Sequence, residues 1–215
     1  RVPVHASPFR YCFRLPQGYL GSHGLERTLP RYDRFFHLLA KPLPPEWALG
    51  AVLHQNFPDR LRQGRPELAP KEGAWLYGGR PIRKKAWHEP PGEDGAREFY
   101  GGDLFGVLEA LPYLEALGVE ALYLTPIFQS PSSHRYDTED YHRVDPHLGG
   151  EEALRALYEA LEARGMKLIL DGVFNHVGAT HPWFQKALKD PSSPERGMFT
   201  FYPDGSYASF WGVKH

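Results

Sequence analysis

Cysteine is nearly absent: Cys12 stands alone in 215 residues, so no disulfide can close within the chain, and two methionines leave little sulfur for a soft metal ion. A reducing compartment suits this composition, and the expected location is cytoplasmic. Long apolar runs are missing too. No stretch approaches the ~18 residues that a spanning helix needs, and the opening RVPVHASPFRY lacks the apolar centre of a signal peptide. Excess charge of one sign is also missing, since 25 Lys and Arg face 26 Asp and Glu for a formal net charge of -1. No whole-chain field would draw the protein to nucleic acid or to an anionic membrane, and an uncharged ligand is expected. The 41% of apolar residues suffices for a sizeable core. Gly 22 and Pro 21 make up about a fifth of the chain, below the roughly 25–30% of low-complexity sequence yet enough for long loops, where function concentrates. The chain opens on Arg1 instead of Met and stops at Trp211-Gly-Val-Lys-His215 without a polar tail, which reads as part of something longer.

Residues 9–15, FRYCFRL, alternate Phe9, Tyr11, Phe13 and Leu15 with polar neighbours, the period of a half-buried strand, and Asp33 to Leu39 is a second candidate. Residues 1–43 thus look like the last strands of an antiparallel β domain, closed off by the stiff run Lys41-Pro-Leu-Pro-Pro45. Beyond it, Ala48 to His54 predicts a short buried strand, followed by a long loop from 56 to 102. Asp103 offers a helix N-cap; Leu104, Val107, Leu108, Leu111, Leu114 and Leu117 recur at helical spacing until Gly118, and Pro112 inside this helix should bend it. Val119 to Thr125 is a strand. Ala153, Leu154, Leu157, Tyr158 and Leu161 mark a second helix ending at Gly165, and Met166 to Phe174 is the next strand. Strands that are almost continuously apolar and alternate with helices belong to a parallel sheet with helical crossovers, so the class is α/β, with strands 48–54, 119–125 and 166–173 adjacent. A full (β/α)8 TIM barrel takes about 250 residues, so three strands make at most its first part. From Val177 to the end no third helix pattern is evident, and an insertion after the third strand is expected.

Active sites of such barrels form where strands end. The polar groups there are Gln55-Asn-Phe-Pro-Asp-Arg60, Ser133-His-Arg-Tyr-Asp-Thr-Glu-Asp-Tyr141 and Asp171-Gly-Val-Phe-Asn-His176. Taken alone, Asp171 and His176 fit an acid/base pair or a remnant of a Ser-His-Asp arrangement, and Asn175 fits an ion ligand. Asp171 equally fits a structural role at a strand end. His134, His142 and His147 do not have metal-site spacing, and no H-E-x-x-H occurs. Aromatic rings, 14% of the chain, fall largely in the loops and the insertion; such rings suit the CH faces of sugars, and they equally suit a core for the insertion.

Phe99-Tyr-Gly-Gly-Asp-Leu104, Leu111-Pro-Tyr-Leu114, His134-Arg-Tyr-Asp-Thr-Glu-Asp-Tyr141, Val144-Asp-Pro146 and Asp171-Gly-Val-Phe-Asn-His176 together resemble, in order and spacing, the first half of the catalytic barrel of the α-amylase family. The wording is most similar to its maltodextrin glucosidase, neopullulanase and cyclomaltodextrinase group. The resemblance implies the end of an N-terminal β-sandwich at 1–43, the first part of a catalytic (β/α)8 barrel at 44–176 and the start of an inserted domain at 177–215. It implies that Tyr136 stacks on the sugar next to the scissile bond, that His176 bonds that sugar's 6-hydroxyl, that Asp171 supports the site without being the nucleophile, and that Asn175 is where some members hold calcium. The first strand departs from the pattern at His54, Asn56 and Leu61. The family draws its nucleophile, acid/base and third acidic residue from later strands, so no catalytic residue is expected within this chain. The implied activity is retaining hydrolysis of α-1,4-glucosidic bonds in maltodextrin or a related α-glucan, with no required cofactor, room for calcium, no nucleic-acid or membrane partner, and a dimeric parent compatible with it. A neopullulanase, a cyclomaltodextrinase or a transglycosylase of the same family is an alternative, and so, from another class, is a non-catalytic glucan-binding module.

Overall fold

A computed structural model describes residues 9–38, 45–209 and 213–215, and the chain divides into two compact units, Arg1–Ala51 and Val52–His215. In the first, β1 (Phe9–Tyr11) pairs with β5 (Phe36–Leu38), while β2 (Phe13–Leu15), β3 (Gly18–Gly21) and β4 (Gly24–Glu26) form an antiparallel meander. The single strand predicted over 9–15 is therefore two, broken at Cys12, because its halves pair in different sheets. The rings of Tyr11, Phe13 and Phe36 still cluster, with centroids 5.4 to 6.0 Å apart. The strand predicted from Asp33 begins only at Phe36, since Tyr32–Arg34 turns as a 3-10 helix; Leu39 and most of the proline connector, Lys41 to Pro44, lie outside the described residues.

The second unit is built on three parallel strands, in the order β6 (Leu53–Asn56), β11 (Ala121–Leu124), β14 (Lys167–Leu170), with Ala121 opposite both Leu53 and Lys167. All three expected strands are adjacent and parallel. The first sits later than 48–54: Glu46–Ala48 is a 3-10 turn and Gly50 takes a positive φ of 79° that no strand accommodates, so pairing starts at Leu53 and carries Gln55 and Asn56 onto the sheet. Helices α2 (Leu104–Ala116) and α3 (Gly150–Ala163) pack on one another and make the crossovers. Helix α2 continues through Pro112. Leu104, Val107, Leu111 and Leu114 from α2, Leu122 and Leu124 from β11, and Leu157 and Leu161 from α3 share one core, each fully buried side chain of this kind contributing about 1.5–3 kcal/mol relative to exposure. Gly118 and Gly165, with φ of 78° and 70°, end the two helices as predicted.

The stretch from 56 to 102 is ordered where a long loop was expected. It holds α1 (Pro58–Leu61), the hairpin of β7 (Leu76–Tyr77) and β8 (Arg80–Pro81), and a parallel pair of β9 (Arg83–Lys84) with β10 (Glu98–Phe99). Two buried carboxylates close it. Asp59 accepts the backbone N–H groups of Tyr100 and Gly101, each at 3.0 Å, and Asp103 accepts those of Gly64, Arg65 and Gly106 at 3.0, 2.8 and 2.7 Å. Such bonds are invisible to a reading based on periodicity, because the partners lie some 40 residues apart. The Phe99-Tyr-Gly-Gly-Asp run is thus a clasp: a Cβ on Gly102 would lie 2.2 Å from the Pro58 carbonyl oxygen.

The hairpin of β12 (Phe128–Gln129) and β13 (Asp140–Val144) follows β11. Contrary to expectation, a third long element occupies the region after Val177, α4 (Pro182–Lys189), whose N-terminus is capped by His181 accepting from the Trp183 N–H at 3.1 Å. Its eight residues bury only Phe184 and Ala187, too short an apolar stripe to register as a period. Among the described residues no helix is long and apolar enough to cross a membrane.

Candidate functional site

The carboxyl ends of β6, β11 and β14 deliver Asn56, Thr125 and Asp171 to one end of the sheet. Asn56 Oδ1 and Thr125 Oγ1 are buried there without a hydrogen-bond partner among the described residues.

The loop from Ser130 to Thr138 is held from beneath by a buried ion pair. Arg135, at a φ of 61°, sends its side chain inward, where Nε donates to Asp145 Oδ2 at 2.6 Å and a terminal nitrogen to the Ser133 carbonyl at 2.7 Å. Both partners are almost completely buried. On the same loop Ser130 Oγ donates to Asp137 at 2.7 Å, Ser132 Oγ also bonds Asp137, and Ser132 Oγ accepts from the Arg135 N–H at 3.1 Å. The phenol of Tyr77 meets the same carboxylate from β7; burial, then Asp137, pushes it up to about 12.

Tyr136 is thereby turned outward at the end of a rigid loop. Its hydroxyl donates to Asp171 Oδ2 at 2.9 Å, and the hydroxyl of Tyr123 donates to the same oxygen at 2.6 Å. Burial first, and then Asp171, pushes the Tyr136 phenol up to about 12; for Tyr123 the bond to Asp171 is the leading cause of an upward shift. Both phenols therefore stay protonated donors at neutral pH, and Asp171 acts as an acceptor shared by two rings. His134 lies beside Tyr136, centroids 5.9 Å apart, and its Nδ1 accepts from the Tyr136 N–H at 3.1 Å. The hydroxyl of Tyr141 bonds the carbonyls of Val173 and His176, the latter at 3.0 Å, tying the segment after β14 to β13. His176 is half-buried, its Nδ1 3.4 Å from the Asn175 amide nitrogen.

Of the residues singled out in the sequence, then, Tyr136 and Asp171 meet directly, and His176 and Asn175 sit together on the neighbouring segment, linked back through Tyr141. Asn175 is exposed, and among the described residues no group of three or more His, Cys, Asp or Glu gathers around it or elsewhere as a metal site. Tyr141, Arg135 and Asp145 lie within the motif runs of the sequence, where nothing gives them a role of their own; Tyr123 lies outside those runs, and its only signal is a polar tip in an otherwise apolar strand.

Burial holds the His134 imidazolium below its ordinary range, opposed by Asp137 and reinforced by Arg135. The folded ring therefore takes up a proton less readily than the unfolded one, so its effect on stability is nil above an ordinary value of about 6.5 and becomes a loss as pH falls through that value toward the lower folded one. Thermal melts should show Tm dropping as pH falls below about 6.5, with a smaller drop in His134→Gln. An equal drop in both would mean that His134 does not contribute.

A sheet of parallel strands joined by helices, with carboxylate, phenol and imidazole groups at the strands' carboxyl ends, defines an α/β protein whose site is built from the loops after its strands. Residues 55–211 match the model of the α-amylase catalytic domain, and the chain belongs to that family. It is 40% identical over 181 residues to an intracellular maltogenic amylase of Bacillus subtilis, which covers 80% of this chain and 29% of the relative. With neopullulanase 2 of Thermoactinomyces vulgaris it shares 42% over 190 residues, 84% of this chain and 30% of the relative. Among solved structures, a ligand-free cyclic α-maltosyl-(1→6)-maltose hydrolase from Arthrobacter globiformis superposes with a TM-score of 0.66 at 34% identity, covering 77% of this chain and 34% of that one. The chain thus spans about a third or less of the length of these relatives.

Proposed function

We propose that this chain is the sugar-binding first part of a retaining glycoside hydrolase that cleaves α-1,4-glucosidic bonds of maltodextrins. Residues 1–43 would end a β-sandwich, 44–176 begin a (β/α)8 barrel and 177–215 open the domain inserted after its third strand. The observation that carries the reading is the convergence of Tyr136 and Tyr123 on one oxygen of Asp171 at the strand ends. The names of the relatives, a maltogenic amylase and a neopullulanase, support an α-glucan as substrate, and the word intracellular in one of them supports a cytoplasmic setting.

Retention needs a nucleophilic carboxylate and an acid/base carboxylate about 5–5.5 Å apart, a pair we assign to the protein beyond these residues. What this chain supplies is binding and orientation. The Tyr136 ring stacks on the CH face of one glucosyl unit, Asp171 fixes that ring's tilt through the phenol, and His176 donates to a hydroxyl of the same sugar. Asp171 is a positioning residue, acting on the sugar through the Tyr136 phenol.

Substitution tests this in the full-length protein that carries the chain. Tyr136→Ala should lower kcat/KM on maltotriose roughly two- to tenfold, a ring contact being worth about 0.5–1.5 kcal/mol, and Tyr136→Phe should lower it less. Wild-type kinetics in the alanine variant would remove Tyr136 from the sugar site.

A further inference from the structure

A pocket of about 390 Å³ opens between β7 and the β12–β13 hairpin; Asp145 and Ser130, which support the Tyr136 loop, form part of its wall, and Trp75, Glu139, Arg143 and His147 are among the rest. We propose that it is a second binding site for a neutral sugar ring, distinct from the rim at Tyr136 and Asp171.

Its walls are fixed before any ligand arrives. The Trp75 indole N–H donates to the Pro131 carbonyl at 2.8 Å while the ring stacks on His147, centroids 5.3 Å apart at 25°. His147 is pinned in turn, its Nδ1–H donating to the Leu68 carbonyl at 2.7 Å and its backbone N–H to Asp145 at 2.8 Å. A site prepared in this way loses little conformational freedom when it is filled.

The polar tips that line it are of two signs and cancel. Asp145 is neutralised from below by Arg135, which leaves the Glu139 carboxylate and the Arg143 guanidinium as the formal charges facing the space. Arg143 is exposed, and the carboxylate it acts on outside the pocket, Glu151, is not within ion-pair distance; Glu139 accepts from the Thr180 hydroxyl through one oxygen only. With Nδ1 of His147 committed as a donor, its Nε2 is an acceptor in the neutral form of the ring. A fork of donors, a carboxylate and an acceptor nitrogen around apolar surface from Leu76 and Trp75 match a ring with hydroxyls at its edge and CH groups on its face. They match an anion or a cation less well, because either would meet a like charge. The volume lies near the lower end of the ~300–1,000 Å³ of small-ligand sites, which fits a short saccharide and excludes a bulky cofactor.

This proposal rests on the α-glucan reading. Calorimetric titration of the full-length protein with sulfur-linked maltotriose, which resists hydrolysis, separates the two. The wild type should bind two equivalents. Tyr136→Ala should weaken one roughly two- to tenfold and leave the other unchanged, and Arg143→Ala should weaken that other one at least tenfold; Glu139→Gln should do the same and decides the matter if Arg143→Ala does not fold. A single equivalent that is weakened in Tyr136→Ala and unchanged in Arg143→Ala and Glu139→Gln would overturn the pocket and leave the glucan reading standing. No binding by the wild type would overturn both.

Discussion

Asp145→Ala should destabilise the protein by about 3–5 kcal/mol, the cost of leaving one partner of a buried ion pair uncompensated. The Arg135 guanidinium is then enclosed, with its shortest bond, 2.6 Å to Asp145, gone and only the Ser133 carbonyl in reach. The loss should not stop at stability. The same pair holds the backbone of residues 133–136, and Arg135 sits at a φ of 61° that side chains other than glycine adopt only under constraint. Urea unfolding of the wild type and the variant measures the first effect through the midpoint at constant slope. Sugar binding under conditions where both are folded measures the second, and should weaken because Tyr136 is no longer held at its angle. A midpoint shift worth less than about 1 kcal/mol, the scale of exposed pairs, would show that water reaches this pair.

Asp171→Ala is the second large effect. It removes the common acceptor of Tyr123 and Tyr136, and hydrogen bonds to a charged group are worth about 1.5–3 kcal/mol each, so stability should fall on that scale, while kcat/KM on maltotriose should fall no further than the roughly two- to tenfold expected of Tyr136→Ala. A merely structural aspartate would lower stability without touching the phenols. Here the Tyr136 phenol, pushed up to about 12 by burial and then by Asp171, should titrate closer to its ordinary value of 10.0 once the carboxylate is gone, the sign following from removal of a negative neighbour. Ultraviolet titration of phenolate detects this. An unmoved profile would break the link between the two residues.

The parallel sheet was legible because its strands are short apolar runs and α3 is an amphipathic crossover, features that local patterning records. Leu53 to Asn56 was misplaced by several residues since Ala48 and Leu49 are as apolar as a strand, and only the positive φ at Gly50 separates them from it. The 56–102 stretch was unreadable for another reason: its order comes from Asp59 and Asp103 accepting backbone N–H groups far along the chain, a pairing that no periodicity carries. In the site, Tyr136, Asp171 and His176 stood out through the family motifs, whereas Tyr123 was hidden inside strand β11 and Arg135 looked like any loop arginine. Burial decides what an arginine does, and burial is a property of the fold.

The proposed function divides the labour, with orientation of the glucan in these 215 residues and the bond-breaking carboxylates elsewhere in the protein. Incubating the purified chain with maltotriose and following glucose release tests it most directly. The expected result is no release above that of buffer, against steady release by the full-length protein. Turnover that tracks the purified chain and vanishes in Asp171→Asn would contradict the account, for it would make Asp171 the catalyst and the active site complete without the missing pair.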